Sequence, residues 1–346
     1  MPGGVRSRVL AATLTAISLG SVAIVASLPD GSRASPARQL RVALVLDVEG
    51  AQGQINRPAL PGLRRAIKSF GVEGTVVTTT AKAGEGASFL DVGRRGYDLA
   101  IGLGAIAADS MEAPALQLPH TRFAIVDASV DQFKSPHRNI QGFVFRDEEI
   151  GYLVGYLGAL MEDRRPGRHV VSTVGGVRVP AVDRFIAGFR AGARQADPHV
   201  TLLNAYANDF LDPTRCRRVA LGQIARGSGV VFQVAGSCGL GALDAARQHH
   251  VWGIGVDTDQ SFLGPHILTS AVKRWDVAVF AAIKALVDGS YRGGTDRVLS
   301  LRDGGLSLGK VSPKVPPPVL AKVEKIRRDI VAGRIRHIPT TVEGNS

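Results

Sequence analysis

The chain has 346 residues, 45% hydrophobic and 21% charged, which excludes wholesale disorder and leaves room for two globular domains. Its formal charge of +12 invites a nucleic-acid partner, yet the surplus sits at the two ends: four Arg against Asp30 in residues 1–40, and eight Lys or Arg against Glu324 and Asp329 between Lys310 and Ile338. With a nearly balanced body and no helix-turn-helix or similar basic module, no nucleic-acid partner is expected.

Arg6 and Arg8 precede Val9–Leu28, a stretch without a single charge, which is the pattern of an export signal. The stretch is also long enough to span a bilayer. Residues 1–28 therefore read either as a cleaved signal peptide or as a signal anchor with the arginines on the cytoplasmic side. No cysteine follows it, which removes the usual lipid attachment. Residues 29–40, rich in Pro, Ser and Arg, read as a linker. Both versions place the body of the chain outside the cytoplasm, exported or held to the cell membrane by residues 9–28.

From Arg41 onward short β-branched runs alternate with helical patterns. Strands are expected at Arg41–Leu46, Gly74–Thr79, Tyr97–Gly102 and Phe123–Val126, with helices at Pro58–Phe70 and Glu148–Glu162. The alternation then starts again: strands His169–Val174, Thr201–Tyr206, Gly229–Val234 and Trp252–Val256 are separated by helices Ala181–Ala196, Thr214–Ala225 and Leu240–His249. A strand at Ile267–Val272, a helix at Asp276–Asp288, a strand at Val298–Leu301 and a helix near Pro317–Ala332 complete the chain. Strands separated by helices of this length indicate parallel sheets of βαβ units. Two such runs imply two similar α/β lobes, with the last elements crossing back. Cys216 at a helix start and Cys238 past the next strand fall on the same sheet rim, where a disulfide and two buried thiols both fit.

Catalytic and cofactor motifs fail on inspection. Gly304 to Gly309-Lys310 has P-loop spacing, but Val311 stands where a hydroxyl should hold magnesium and no helix is expected there. The histidines lack metal-ligand spacing, no serine sits in a nucleophile elbow, and Cys238 has no activating histidine nearby in sequence. What remains is a set of polar residues at strand ends: Asp47, Asp127, Gly236 with Ser237, Asp257 and Asp259. Each alone reads as a turn residue or helix cap. Together they fall at the carboxyl ends of parallel strands, where open α/β sheets bind ligands.

The segments FAIVDA (123–128), FRDEEIGYLVGYLGAL (145–160), RFIAGFRAG (184–192), VFQVAGSCGLG (231–241), WGIGVDTDQ (252–260), ILTSAVKRWD (267–276) and IVAGRIRHIP (330–339) resemble the basic membrane protein family. These are the PnrA-like substrate-binding proteins of ABC transporters, many of which bind nucleosides. The resemblance implies a type I periplasmic-binding-protein fold: two doubly wound lobes joined by crossover strands, a small-molecule ligand between them, an ABC permease as partner, no cofactor and no catalysis. A monomer is expected. Lobe 1 would comprise residues 41–143 plus about 271–297, and lobe 2 residues 144–270 plus about 298–339.

Family roles transfer position by position. Asp47 and Asn56 lie in the first ligand loop, Asn56 and Asp127 would hydrogen-bond a base, and Phe210 would stack on it. Gly236, Asp257 and Lys273 would hold a ribose, with Lys273 as counter-charge to Asp257. One departure stands out. Where the family commonly reads Asp-Asp-x-Ser-Phe-Asn-Gln, this chain has Gln52-Gly53-Gln54-Ile55-Asn56-Arg57, so Ile55 replaces the second stacking aromatic. A purine nucleoside is the leading ligand. A membrane-tethered sensor of the same fold and a nucleoside-processing enzyme built on Asp47, Asp127 and Asp257 are the alternatives.

Overall fold

The computed structural model describes residues 38–342, apart from Gln54 and Arg168. The signal or anchor segment and nearly all of the linker lie outside the described residues. No helix among the described residues is long and apolar enough to cross a membrane.

The first half runs β1 (Arg41–Leu46), α1 (Asn56–Phe70), β2 (Glu73–Thr78), α2 (Gly84–Arg94), β3 (Leu99–Leu103), α3 (Gly104–Gln117), β4 (Arg122–Val126), β5 (Ile140–Phe145) and α4 (Asp147–Glu162). It continues through β6 (Val170–Gly175), α5 (Pro180–Ala196), β7 (Thr201–Tyr206), α6 (Pro213–Ala225), β8 (Val230–Val234), α7 (Gly239–Gln248), β9 (Trp252–Asp257) and β10 (Ile267–Lys273). The last elements are α8 (Trp275–Val287), β11 (Thr295–Leu299), β12 (Leu306–Leu308) and α9 (Pro317–Val331).

Two six-stranded sheets result, in the orders β11-β5-β4-β3-β1-β2 and β12-β10-β9-β8-β6-β7. The second repeats the winding of the first, β6 to β10 taking the places of β1 to β5. Every pairing is parallel except β10 with β12. Central strands such as β3 and β8 are buried at every position, as sheets covered on both faces require. The topology and the reappearance of one winding in two lobes make this a type I periplasmic-binding-protein fold.

The chain crosses between sheets three times. After β5 it leaves at Arg146 into α4, which packs on α5; after β10 it returns at Arg274 into α8, which packs on α1; after β11 it crosses again toward β12. Backbone hydrogen bonds tie these crossings together, Arg146 N–H to Leu299 O at 2.9 Å and Arg274 N–H to Gly305 O at 2.8 Å.

The α4–α5 pair is unusually close because glycines leave room for backbone. A Cβ on Gly155 would lie 2.1 Å from the Phe189 carbonyl oxygen, and one on Gly192 would lie 2.0 Å from that of Tyr152. The same holds nearer the start of α4, where a Cβ on Gly151 would lie 2.4 Å from the Phe185 carbonyl oxygen and one on Gly188 2.2 Å from that of Glu148, the neighbour of Asp147.

Four elements escape the sequence pattern: α2, α3, β5 and β12. The P-loop-like spacing resolves into a turn at Gly304–Gly305 followed by β12, with the Gly309 N–H donating to Ser270 O at 2.8 Å. It is sheet-edge backbone and not a phosphate cradle.

Candidate functional site

On the first lobe, β1 ends at Asp47. The Asp47 Oδ1 accepts from the Glu49 N–H and from Asn56 Nδ2, both at 2.8 Å, and Asn56 Nδ2 also donates to Gly50 O at 2.9 Å. Asp47 thus shapes the loop and aims Asn56. The Asn56 side chain is buried, yet its Oδ1 has no hydrogen-bond partner. A buried acceptor left open costs free energy unless something donates to it. Ile55, partly buried on the core, points toward the end of β3: its Cδ1 would lie 3.4 Å from a Cβ on Gly104, a glycine with φ of 77°. Glu85 stands near enough to Asp47 that burial, and then the Asp47 charge, raise its carboxyl above the ordinary range.

On the second lobe, Phe210 lies in the loop after β7. Its ring covers Gly176, where a Cβ would meet the ring carbons at 2.4 Å. Its carbonyl accepts from the Cys238 N–H at 2.9 Å, and a Cβ on Gly236 would come within 3.2 Å of that same oxygen. Phe210 as a whole keeps 38% of its surface exposed, so it is not a core aromatic. Cys216 and Cys238 are joined as a disulfide with Cα atoms 5.5 Å apart, linking α6 to the turn that carries Gly236. Replacing both cysteines with alanine should lower stability by about 3 kcal/mol, from the loop of roughly 20 residues that the bond closes. Urea unfolding of the oxidised protein and the double variant would measure it, and equal midpoints would refute it.

The two rims meet at Lys273, the last residue of β10. Its Nζ donates to both oxygens of Asp127 at 2.9 Å and lies 3.6 Å from Asp257 Oδ1 and 3.6 Å from Asp147 Oδ1. Asp127 follows β4 in one lobe and Asp257 ends β9 in the other, so the carboxyl-terminal edges of the two sheets face each other here. Both aspartates occupy equivalent strand ends, and both take left-handed backbone, with φ of 66° and 63°. Asp tolerates that conformation better than most residues, and such strain gathers at functional positions. The Lys273 ammonium also lies 5.1 Å from the Phe185 ring centroid and 5.8 Å from that of Phe145.

One ammonium serves three carboxylates. Burial alone would depress Lys273, but Asp127, Asp147 and Asp257 more than reverse this and hold it protonated. Burial raises Asp127; Lys273 opposes the rise and Asp257 adds to it. Asp147 is pushed well above the ordinary carboxylate range by burial, again opposed by Lys273, with Asp127, Asp257 and Glu148 adding to the rise. Lys273 is the expected counter-charge to Asp257 at 3.6 Å, and its two short bonds reach further, to Asp127 across the gap between lobes. Sequence reasoning missed Asp147, because an acidic residue opening a helix carries its own explanation in the helix dipole.

The chain matches the family model described as ABC transporter substrate-binding protein PnrA-like over residues 42–339. The chain belongs to this family. Among curated proteins it is 31% identical over 322 residues to the CD4+ T-cell-stimulating antigen of Listeria monocytogenes, covering 86% of this chain and 88% of that one. It is 28% identical over 357 residues to the ABC transporter nucleoside-binding protein BmpA of Lactococcus lactis, covering 95% and 98%. A solved solute-binding protein of an ABC transporter system from Aeropyrum pernix superposes with a TM-score of 0.68 at 24% identity, covering 87% of this chain and 94% of that one. This last likeness speaks for the fold alone.

Membership of the PnrA-like family makes the chain an extracytoplasmic substrate-binding protein of the ABC transporter class, with a small-molecule ligand and a permease partner. The family is not enzymatic. Among the described residues, one trio of groups able to ligate a metal lies together, Asp163, His169 and Asp197, at the opposite, amino-terminal edge of the second sheet. There His169 Nδ1 is 2.9 Å from Asp197 Oδ2, an ion-pair arrangement remote from the strand ends just described.

Proposed function

We propose that this substrate-binding protein captures an uncharged purine nucleoside between its lobes and delivers it to the permease. The observation that carries the reading is the cluster of Asp127 and Asp257 about Lys273, contributed by facing sheet edges, with both aspartate side chains still partly exposed. Vicinal hydroxyls and base N–H groups are donors, and carboxylates accept only. Phe210 offers a ring face for the base, Ile55 an aliphatic face on the opposite lobe, and Asn56 Oδ1 an acceptor that awaits a donor. Lobe closure would bury the ligand and present both lobes to the permease. The name of the Lactococcus lactis relative, a nucleoside-binding protein, supports the same ligand class. In this reading residues 1–28 direct export and are then either cleaved or, through residues 9–28, keep the protein at the outer face of the membrane.

Asp127 and Asp257 line the cleft and the cation between them, Lys273, is already paired, so the site is hostile to anions and nucleoside 5′-monophosphates should bind at least about 100-fold more weakly than the parent nucleosides. Calorimetry with adenosine, guanosine, inosine, cytidine and uridine, each beside its monophosphate, tests both claims. Saturable heat with purine nucleosides only is expected. Silence across the panel, or preference for the monophosphates, would overturn the reading.

A further inference from the structure

Three carboxylates surround Lys273, and they differ in what else can reach them. The Asp127 and Asp257 side chains keep 20% and 24% of their surface, whereas Asp147 keeps 3%. Asp127 and Asp257 can therefore accept from a ligand in the cleft, and Asp147 cannot. The Asp147 Oδ1 is buried, has no hydrogen-bond partner, and sits 3.6 Å from Nζ, just beyond bonding distance. Lys273 meanwhile spends two of its three donors on Asp127, the residue assigned to the base.

We infer that Asp147 is a positioning residue for the ligand site: it takes the Lys273 ammonium when a ligand claims an oxygen of Asp127. The inference rests on the ligand reading above. A small rotation of the lysine stem closes the 3.6 Å gap to a charge-assisted hydrogen bond and frees one Asp127 oxygen for a base N–H. Both arrangements keep the ammonium paired, so ligand binding does not strand a buried charge. The aromatic walls of Phe145 and Phe185 hold the ammonium within this small region in either arrangement.

A proton accompanies the exchange. In the unliganded protein Asp147 faces Lys273 from β10, Asp127 beyond β4, Asp257 from β9, and Glu148 from its own helix; Arg146 pairs with Glu148, and Arg184 on α5 acts on Asp127 and Glu148. Burial raises the Asp147 carboxyl, Lys273 opposes this from 3.6 Å, and the three neighbouring carboxylates add to the rise. When Lys273 moves to Asp147, the ammonium favours the carboxylate, so any proton that Asp147 holds leaves to solvent.

The test is calorimetry on wild type and Asp147→Asn with the purine nucleosides, run in two buffers of different ionisation enthalpy. Wild type should release a proton on binding. Asp147→Asn should melt within a few degrees of wild type, release none, and bind about tenfold or more weakly, the scale of a lost charged hydrogen-bond partner. Should the variant not fold, the wild-type buffer comparison decides alone: no proton released overturns the inference. Wild type that binds, with an Asn variant matching it in affinity and proton count, overturns the inference and leaves the ligand reading intact. Wild type silent to every nucleoside removes both.

Discussion

Replacing Lys273 with methionine should destabilise the protein by about 3–5 kcal/mol near neutral pH, the scale of removing one partner from a buried charge cluster. Methionine preserves the length and apolar stem, so packing against Phe145 and Phe185 survives and the loss is electrostatic. What remains is Asp127, Asp147 and Asp257 without their shared cation. The pH dependence carries the sharper test. Asp127 and Asp147 already titrate above their ordinary range, and removing Lys273 deletes the largest influence that lowers them. Groups whose folded pKa is raised contribute stability that is complete below the unfolded value and lost as pH rises through the folded one. The deficit of the variant should therefore be small near about pH 4 and grow toward about pH 8. In wild type the raised Lys273 keeps its charge across this whole interval. Urea unfolding at both ends of the interval measures the difference. A deficit independent of pH would mean that the cluster does not hold the lobes' edges together by charge.

Phe210→Ala should weaken purine nucleoside binding by about 1–3 kcal/mol, the usual worth of one base stacked on an aromatic ring. Phe210 is 38% exposed, so the same change should cost the fold little, and a thermal melt beside the titration separates the two effects. Ile55→Phe is the complementary variant. It restores a second aromatic face on the first lobe and should tighten purines by about 1 kcal/mol, with less effect on pyrimidines, which offer a smaller stacking surface. Isothermal titration of both variants and of the double variant provides the check. If Phe210→Ala leaves affinity unchanged, the base does not lie on this ring, and the assignment of the second-lobe rim falls with it.

How much of this was legible beforehand differs by residue, for physical reasons. Strands such as Val42–Leu46 and Phe123–Val126 announce themselves because a sheet covered on both faces demands unbroken apolar runs. Helices α2 and α3 do not: α2 is short and carries three glycines, Gly84, Gly86 and Gly93, and α3 is rich in alanine, with Pro114 inside it, so neither shows a clean apolar stripe. Strand β12 has three residues and exists because β10 offers it an edge, a fact about partners and not about local sequence. At the site, Asp127 and Asp257 could be found because each closes a strand with the same Val-Asp step. Asp147 could not, since Arg146-Asp147-Glu148-Glu149 offers three acidic residues and only packing tells which one is sealed beneath Lys273.

Neither lobe is a continuous piece of chain. The edge strand that completes the first sheet lies at Thr295–Leu299, and the one that completes the second at Leu306–Leu308. During vectorial synthesis the amino-terminal half is thus denied its final strand until nearly the whole polypeptide has been made. Both halves wait on the same late segment, so a nonsense mutation or a proteolytic cut ahead of Thr295 would spare neither.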